Sequence, residues 1–214
     1  MNKAVKIKRC MQNEKRSQFI VNDKKPVSCV LLLLISAWIA GCSISPQPAL
    51  DGEMLVQKMP LPAGQWEVQQ ISSELTPSIE TRWTSSSGAV AQTIVTYEVR
   101  NVDVAALKNE DDNIGEQACE AGFSSKVLTE GIQNGYPQLT WRSLCQAVDG
   151  LTALVLHKVI VGNEAHYRFR RTFMKRPTKE EWLLWIDYVH QFIVCDLSHT
   201  LAHPCPADLE QTNK

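Results

Sequence analysis

The sequence lacks the short motifs that identify the commonest enzyme classes. It contains no Gly-x-Ser-x-Gly nucleophile elbow, no Walker phosphate loop, no dinucleotide-binding glycine fingerprint and no His-Glu-x-x-His pair. Each motif places a nucleophile, a phosphate or a zinc ion on a defined turn or helix, so its absence removes the sequence support for that chemistry. We therefore expect a protein without enzymatic activity, and no cofactor is indicated.

The chain also lacks a long hydrophobic run and an excess of one charge. Its longest apolar segment, Val30–Ala40, has eleven residues, whereas a membrane-spanning helix needs about 20. The 214 residues contain 22 Lys and Arg against 23 Asp and Glu, and 44% are hydrophobic, which is typical of a globular protein with one or two domains. Residues 1–41 carry eight basic and two acidic side chains, so the remainder has a net charge of −7. An acidic body argues against nucleic-acid binding.

A basic segment followed by a short apolar run is typical of a secretory signal peptide. Here the run ends in Ile39-Ala40-Gly41-Cys42, which resembles the lipobox of bacterial lipoproteins. The resemblance implies that a diacylglyceryl group is transferred to the Cys42 sulfur, that the chain is cleaved before Cys42, and that the new amino terminus is acylated, typically with palmitate. The alternative is an ordinary signal peptide with a cysteine nearby.

Lipidation of Cys42 would hold the protein on a membrane. Each buried methylene contributes about 0.8 kcal/mol, so two or three acyl chains make release very slow. Ser43 follows the cysteine, and by resemblance to lipoproteins of Gram-negative bacteria a serine here, and not an aspartate, fits export to the outer membrane. We expect a lipid-anchored protein of the cell envelope that faces the periplasm.

The sequence predicts four segments. They are a signal peptide over residues 1–41, a lipidated cysteine and tether over 42–64, a domain over 65–196 and a C-terminal tail over 197–214. Prolines and glycines in the tether break any long helix or strand, which favours a semi-extended linker. Its apolar residues, such as Leu55, could instead pack on the edge of the domain.

The domain has the pattern of an antiparallel sheet with two helices. Alternating polar and apolar residues predict strands near residues 66–71, 79–84, 89–100, 126–129, 138–148, 152–161 and 165–174. The first predicted helix begins at Asn109 and ends near Ala121, and a capping box at Thr178–Glu181 begins the second, which ends near Val194. This order predicts an α+β fold. It resembles the Mog1/PsbP-like architecture, which also occurs in bacterial lipoproteins.

The second predicted helix carries an apolar stripe at helical spacing. Its members are Trp182, Trp185, Ile186, Val189 and Ile193. We predict that the stripe packs on the sheet as core and does not form a groove for a partner.

Four cysteines remain once the leader is removed and Cys42 is lipidated: Cys119, Cys145, Cys195 and Cys205. An even number of cysteines in an exported chain favours disulfides. Of the three connectivities, we prefer Cys119–Cys145, which joins the first helix to a neighbouring strand. The second bridge, Cys195–Cys205, would then fold the tail back on the last helix.

The C-terminal run also has the order Cys195-x3-His199-x3-His203-x-Cys205. Zinc accepts such nitrogen and sulfur ligands in a tetrahedral geometry, so a metal site is the alternative to a disulfide with incidental histidines. We expect the disulfide and no metal, because the periplasm is kept oxidising.

Three arginines of the last long predicted strand, Arg168, Arg170 and Arg171, suggest a basic patch. Such a patch would contact an acidic partner, peptidoglycan or lipid head groups. The alternative is an ordinary solvated sheet face, on which His166 alternates with Arg168 and Arg170.

Together these features predict a membrane-anchored, periplasm-facing lipoprotein that acts as a non-enzymatic binding or assembly-support module of the bacterial envelope. Its partners would be the membrane, through the lipid on Cys42, and an unknown envelope protein or cell-wall component, but no nucleic acid. The first alternative is a lipoprotein that binds a small ligand or a metal. The second is an envelope hydrolase, which would need a pocket where an acid, a base and a nucleophile converge.

Overall fold

A computed structural model describes residues 50–62, 64–73, 77–97, 102–119, 121–146 and 152–207. The predicted signal peptide, Cys42, the hairpin predicted at Asp149-Gly150 and the end of the tail lie outside the described residues. None of the described helices is both long and apolar enough to cross a membrane.

Nine strands and two helices make up the regular structure of the described residues. The strands are β1 (Glu53–Val56), β2 (Trp66–Ser73), β3 (Ser78–Ser85), β4 (Val90–Tyr97), β5 (Gly122–Gln133), β6 (Tyr136–Gln146), β7 (Thr152–Val161), β8 (Ala165–Phe173) and β9 (Ile193–Asp196). The helices are α1 (Val104–Ala118) and α2 (Lys179–His190). Strands β2 to β8 form one antiparallel sheet in the order β2-β3-β4-β8-β7-β6-β5, and β1 pairs with β9. The predicted α+β class is confirmed, with the sheet dominating the fold.

Helix α1 packs on one face of β6 and β7. The cluster beneath it contains Val104, Leu107, Leu139, Trp141 and Val159. The predicted start at Asn109 is wrong: the helix begins at Val104, because burying the apolar residues of its first turns outweighs the preference of acidic residues for a helix N-terminus. Ile114, in the second half of the helix, is 57% exposed, and the helix ends at Ala118, before the predicted Ala121.

Helix α2 packs on the opposite face, over an aromatic core shared with β7 and β8. Thr178 Oγ1 accepts a hydrogen bond from the Glu181 N–H at 3.1 Å, which confirms the predicted N-cap. The apolar stripe is core, as predicted: Trp185 and Val189 are fully buried, and Trp182 and Ile186 pack partly buried against the same cluster. Its last predicted member, Ile193, lies beyond the end of the helix, in β9.

Helix α2 ends at His190, about four residues earlier than predicted. Lys158, a buried residue of β7, donates hydrogen bonds to the carbonyl oxygens of Val189 (2.9 Å) and Phe192 (2.8 Å) and to Gln133 Oε1 (2.6 Å). The side-chain amine thereby binds one carbonyl of the last turn of α2, where helices leave carbonyls without intrahelical partners, and one carbonyl just beyond the helix. Burial lowers the pKa of Lys158 to about 7.

Strand β1 lies inside the segment predicted as a tether, and it pairs with β9 from Glu53↔Asp196 to Val56↔Ile193. Leu55 packs against the main core. Of the two expectations for this segment, packing on the domain edge is therefore the one observed for its described residues.

The carboxylate of Glu53 fastens β1 to the hairpin between β7 and β8. This side chain is buried and accepts hydrogen bonds from the N–H groups of Asn163 (2.6 Å) and Ala165 (3.2 Å) and from the Tyr167 hydroxyl (3.0 Å). Gly162 allows this approach, since a Cβ there would lie only 2.2 Å from Glu53 Oε1. The point where the described chain enters the domain is thus fixed at this end of the sheet.

Candidate anion-binding site

An open cleft of about 560 Å³ lies on the α2 side of the sheet, beyond the part that the helix covers. Its lining is Ser124, Ser125, Lys126, Arg142, Leu144, Gln146, Thr152, Leu154 and Arg176. These residues come from β5, β6, the start of β7 and the loop between β8 and α2. A volume of this order is typical of small-molecule sites, which occupy about 300–1,000 Å³.

Three cationic side chains reach the cleft: Lys126 from β5, Arg142 from β6 and Arg176 from the loop before α2. Lys126 and Arg142 are directly opposite each other in the β5–β6 register, an arrangement in which like charges repel. Within the described part of the chain, none of the three belongs to an ion pair. The cleft therefore concentrates positive charge that these residues do not neutralise.

The remaining side chains suit a ligand that is part polar and part apolar. Leu144 and Leu154 are directly opposite each other on β6 and β7 and form an apolar floor. Ser124, Thr152 and Gln146 add hydroxyl and amide groups, which can donate hydrogen bonds. The cleft can therefore hold an anionic group beside an apolar one.

The cleft and the chain's point of entry lie at opposite ends of the sheet. The cleft includes Thr152 and Leu154 at the start of β7, whereas Glu53 contacts the hairpin that follows the end of β7. At about 3.4 Å per residue, this ten-residue strand separates the two ends by roughly 30 Å.

The structure does not contain the basic patch predicted from three arginines of β8. Arg168 pairs with Glu110 (2.6 Å) and Asp111 (3.2 Å) of α1, and Arg170 pairs with Asp111 (2.5 Å). Helix α1 covers this face of the sheet, so the arginines neutralise acidic residues of the helix and are not free for a partner. The alternative of a solvated sheet face is also wrong here, because His166 is only 8% exposed.

Arg171 points to the other face of the sheet, as strand alternation requires. Its guanidinium lies 4.4 Å from the ring centre of Phe173, 4.9 Å from Trp185 and 5.4 Å from Trp66. It is 4% exposed and also lies 3.7 Å from a carboxylate oxygen of Glu181. Cation–π contacts in the aromatic core therefore account for this residue.

One cluster under α1 has the composition of a catalytic triad. Ser143 Oγ lies 2.8 Å from His157 Nε2, and His157 Nδ1 lies 3.8 Å from Asp111 Oδ2. The second distance is too long for a hydrogen bond, and the Asp111 carboxylate is engaged by Arg168 and Arg170. The aspartate therefore does not orient the imidazole as it does in a working triad.

Electrostatics also oppose a catalytic role for this histidine. Burial, together with the positive charges of Arg170 and Lys108, lowers the pKa of His157 to about 3. A general base must become an imidazolium during the reaction, which this environment disfavours. His157 stacks on Trp141 at 4.6 Å, and we interpret the cluster as structural.

Acidification is expected to destabilise the domain through its buried histidines. The pKa of His157 is lowered to about 3, and burial with a contribution from Arg168 lowers that of His166 to about 4. Below about pH 6.5 the unfolded chain binds protons at these sites while the folded chain does not, so stability present above pH 6.5 is lost toward pH 4. The urea midpoint should fall over this range, and less steeply in a His157→Gln, His166→Gln variant. Equal slopes for both proteins would contradict this assignment.

The four cysteines form the two preferred bridges. The sulfur atoms are 2.10 Å apart in Cys119–Cys145 and 2.00 Å apart in Cys195–Cys205. No group of three or more side chains suited to a metal is found among the described residues.

The two histidines of the C-terminal run have roles in the fold. His199 Nδ1 lies 2.8 Å from an oxygen of Asp196, and His203 stacks on Tyr136 at 4.0 Å with its Nδ1 3.0 Å from the Asn134 carbonyl oxygen. The two side chains therefore face different partners and do not converge on one point.

We expect the four cysteines of the mature domain to resist alkylation until reductant is added. Reduction opens two bridges, so the intact mass should rise by four hydrogens. Elemental analysis of the same sample should find no zinc. Stoichiometric zinc, with free thiols at Cys195 and Cys205 after chelation, would show that the metal-binding alternative is right.

Sequence reasoning missed the three cations of the cleft. Lys126, Arg142 and Arg176 lie on separate elements, and each is an unremarkable polar residue within its own strand or loop. The β5–β6 hairpin turn at Asn134-Gly135 does not reveal the first two either, because a bulge between Val127 and Thr129 shifts the register by one residue before Lys126 comes opposite Arg142.

Comparisons with known proteins leave the function open. No protein-family model and no curated protein matches the chain. A crystal structure of a protein of unknown function from Pseudomonas aeruginosa is similar over 66% of this chain and 96% of that chain, at 10% identity and a TM-score of 0.37. A likeness at this level carries no functional argument.

Proposed function

We propose that this protein is a lipid-anchored, periplasm-facing envelope lipoprotein whose domain binds an anionic envelope component in the cleft of Lys126, Arg142 and Arg176. It acts as a binding module and not as an enzyme. The anchoring rests on the lipobox at Cys42. The binding rests on one observation: Lys126 and Arg142 face each other without a carboxylate of the described residues between them.

Repulsion between these two cations favours the binding of an anion in the cleft. Like charges at directly opposed positions destabilise a pair of strands, and a bound anion would offset the repulsion between these two exposed side chains. The chain from Cys42 onward has a net charge of −7. The cationic cleft is therefore a local region that attracts anions on an otherwise acidic domain.

The test is crosslinking in cells that express the full lipidated protein. The double variant Lys126→Gln, Arg142→Gln should lose most of its crosslinks to envelope components, because charge-assisted contacts to the anion are removed. Lys58→Gln is the matched control, since Lys58 is exposed and lies outside the cleft. Unchanged crosslinks in the double variant would overturn the binding part of the proposal.

Anchoring has its own test in Cys42→Ser. The substitution removes the sulfur that accepts the diacylglyceryl group, so palmitate labelling and cleavage of the precursor should both be lost. If labelled palmitate marks this variant as strongly as the wild-type protein, the lipoprotein proposal is wrong.

A further inference from the structure

We propose that the cleft binds a phosphate monoester attached to an apolar group. This inference rests on the proposed function, since it names the ligand class of the same cleft. It is argued from the number of cations, the hydrogen-bond donors of the lining and the apolar floor.

The charge count favours phosphate over a single carboxylate. Lys126, Arg142 and Arg176 supply three positive charges, and the described lining of the cleft contains no acidic side chain and no histidine. One carboxylate would leave two of these charges uncompensated, whereas a phosphate monoester near pH 7 carries about 1.5–2 negative charges. A phosphate monoester dianion therefore compensates the charges of Lys126 and Arg142 more completely than a carboxylate does.

The kinds of donor in the lining favour the same group. Two guanidinium groups can each present two parallel N–H donors to a phosphate, and a lysine adds a compact third charge. The hydroxyls of Ser124 and Thr152 lie in the same lining. A phosphate has three terminal oxygens to accept from donors on several sides, whereas a planar carboxylate has two.

The apolar floor of the cleft favours binding of a phosphate that carries an apolar substituent. Leu144 and Leu154 are only partly buried and face the cleft side by side. Covering them removes apolar surface from water, which strengthens binding in proportion to the area covered. Inorganic phosphate should therefore bind more weakly than a phosphate that carries a ring or an alkyl chain.

The test compares two probes of similar shape, phenyl phosphate and benzoate, by titration calorimetry on the purified full-length protein in detergent. Phenyl phosphate should bind at least about 10-fold more tightly at pH 7, and inorganic phosphate should lie between the two or below both. The second pKa of a phosphate monoester is near 6, so affinity for phenyl phosphate should rise from pH 5 to pH 7. Affinity for benzoate should stay flat, because the described lining contains no carboxylate or histidine.

Variants connect this binding to the cleft. Arg142→Gln should weaken phenyl phosphate binding by about 10- to 100-fold, while Lys58→Gln should leave it unchanged. Arg142 is exposed, and removing its charge relieves repulsion with Lys126, so the free variant should melt at or above the wild-type temperature. Lost binding then cannot be attributed to misfolding.

The outcomes separate the two proposals. Equal binding of benzoate and phenyl phosphate would overturn the phosphate assignment and leave an anion cleft. Binding of neither probe, with crosslinks still lost in the double variant, would also overturn it and point to a larger polyanion. Binding of neither probe together with unchanged crosslinks would overturn the inference and the proposed function alike.

Discussion

Replacing Trp185 by alanine is expected to lower the free energy of unfolding by about 3–5 kcal/mol, the usual cost of truncating a buried tryptophan. Trp185 is fully buried. Its ring lies 5.4 Å from Tyr188, 5.9 Å from Trp66 and 6.2 Å from Phe169. The substitution would open a cavity between α2 and the sheet. Urea unfolding followed by circular dichroism measures the loss.

The same substitution removes one of the aromatic faces beside Arg171, whose guanidinium lies 4.9 Å from the Trp185 ring. Leu184→Ala is the matched control, because Leu184 is the preceding residue of α2 and is 46% exposed. We expect that control to cost under about 1 kcal/mol. A loss below about 1 kcal/mol for Trp185→Ala as well would mean that the stripe is a surface site and not the core.

Asp111→Ala is expected to destabilise the domain by about 3–5 kcal/mol, since removing one partner of a buried ion pair leaves uncompensated charge behind. The Asp111 side chain is 3% exposed and pairs with both Arg168 and Arg170. Arg168 would keep Glu110, but Arg170 would lose the one carboxylate that it contacts among the described residues. Thermal and urea unfolding should both report the loss.

The neighbouring residue on α1 provides the control for this prediction. The Glu110 side chain is 56% exposed although it also pairs with Arg168, and exposed ion pairs contribute about 0–1 kcal/mol. Glu110→Ala should therefore cost far less than Asp111→Ala. Equal effects of the two substitutions would show that burial of Asp111 does not set the strength of the network.

Sequence patterns predicted the parts of the fold that depend on interactions between residues close together in the sequence. The N-cap at Thr178 and the stripe containing Trp185 both follow from spacing within a few residues, and both are confirmed. The α+β class follows in the same way, because alternation along a strand reflects one buried face.

Long-range pairing decided what the sequence could not predict. The start of α1 depends on the packing of Val104 against apolar residues of β6 and β7. The end of α2 depends on hydrogen bonds from Lys158, which lies on a strand more than 30 residues earlier in the sequence. The arginines of β8 looked free because α1, which covers Arg168 and Arg170, is far from them in sequence. The cleft likewise becomes visible only when β5, β6 and the loop before α2 are brought together.

The attachment of Glu53 determines how the domain would bear a mechanical load. A pull on the chain ahead of residue 50 enters the fold at β1, whose four-residue pairing with β9 would offer little resistance by itself. The Glu53 carboxylate instead passes tension to the β7–β8 hairpin through Asn163, Ala165 and Tyr167, and so into the middle of the seven-stranded sheet. The cleft lies at the opposite end of β7, so a load applied to the preceding chain would enter the sheet roughly 30 Å from the cleft.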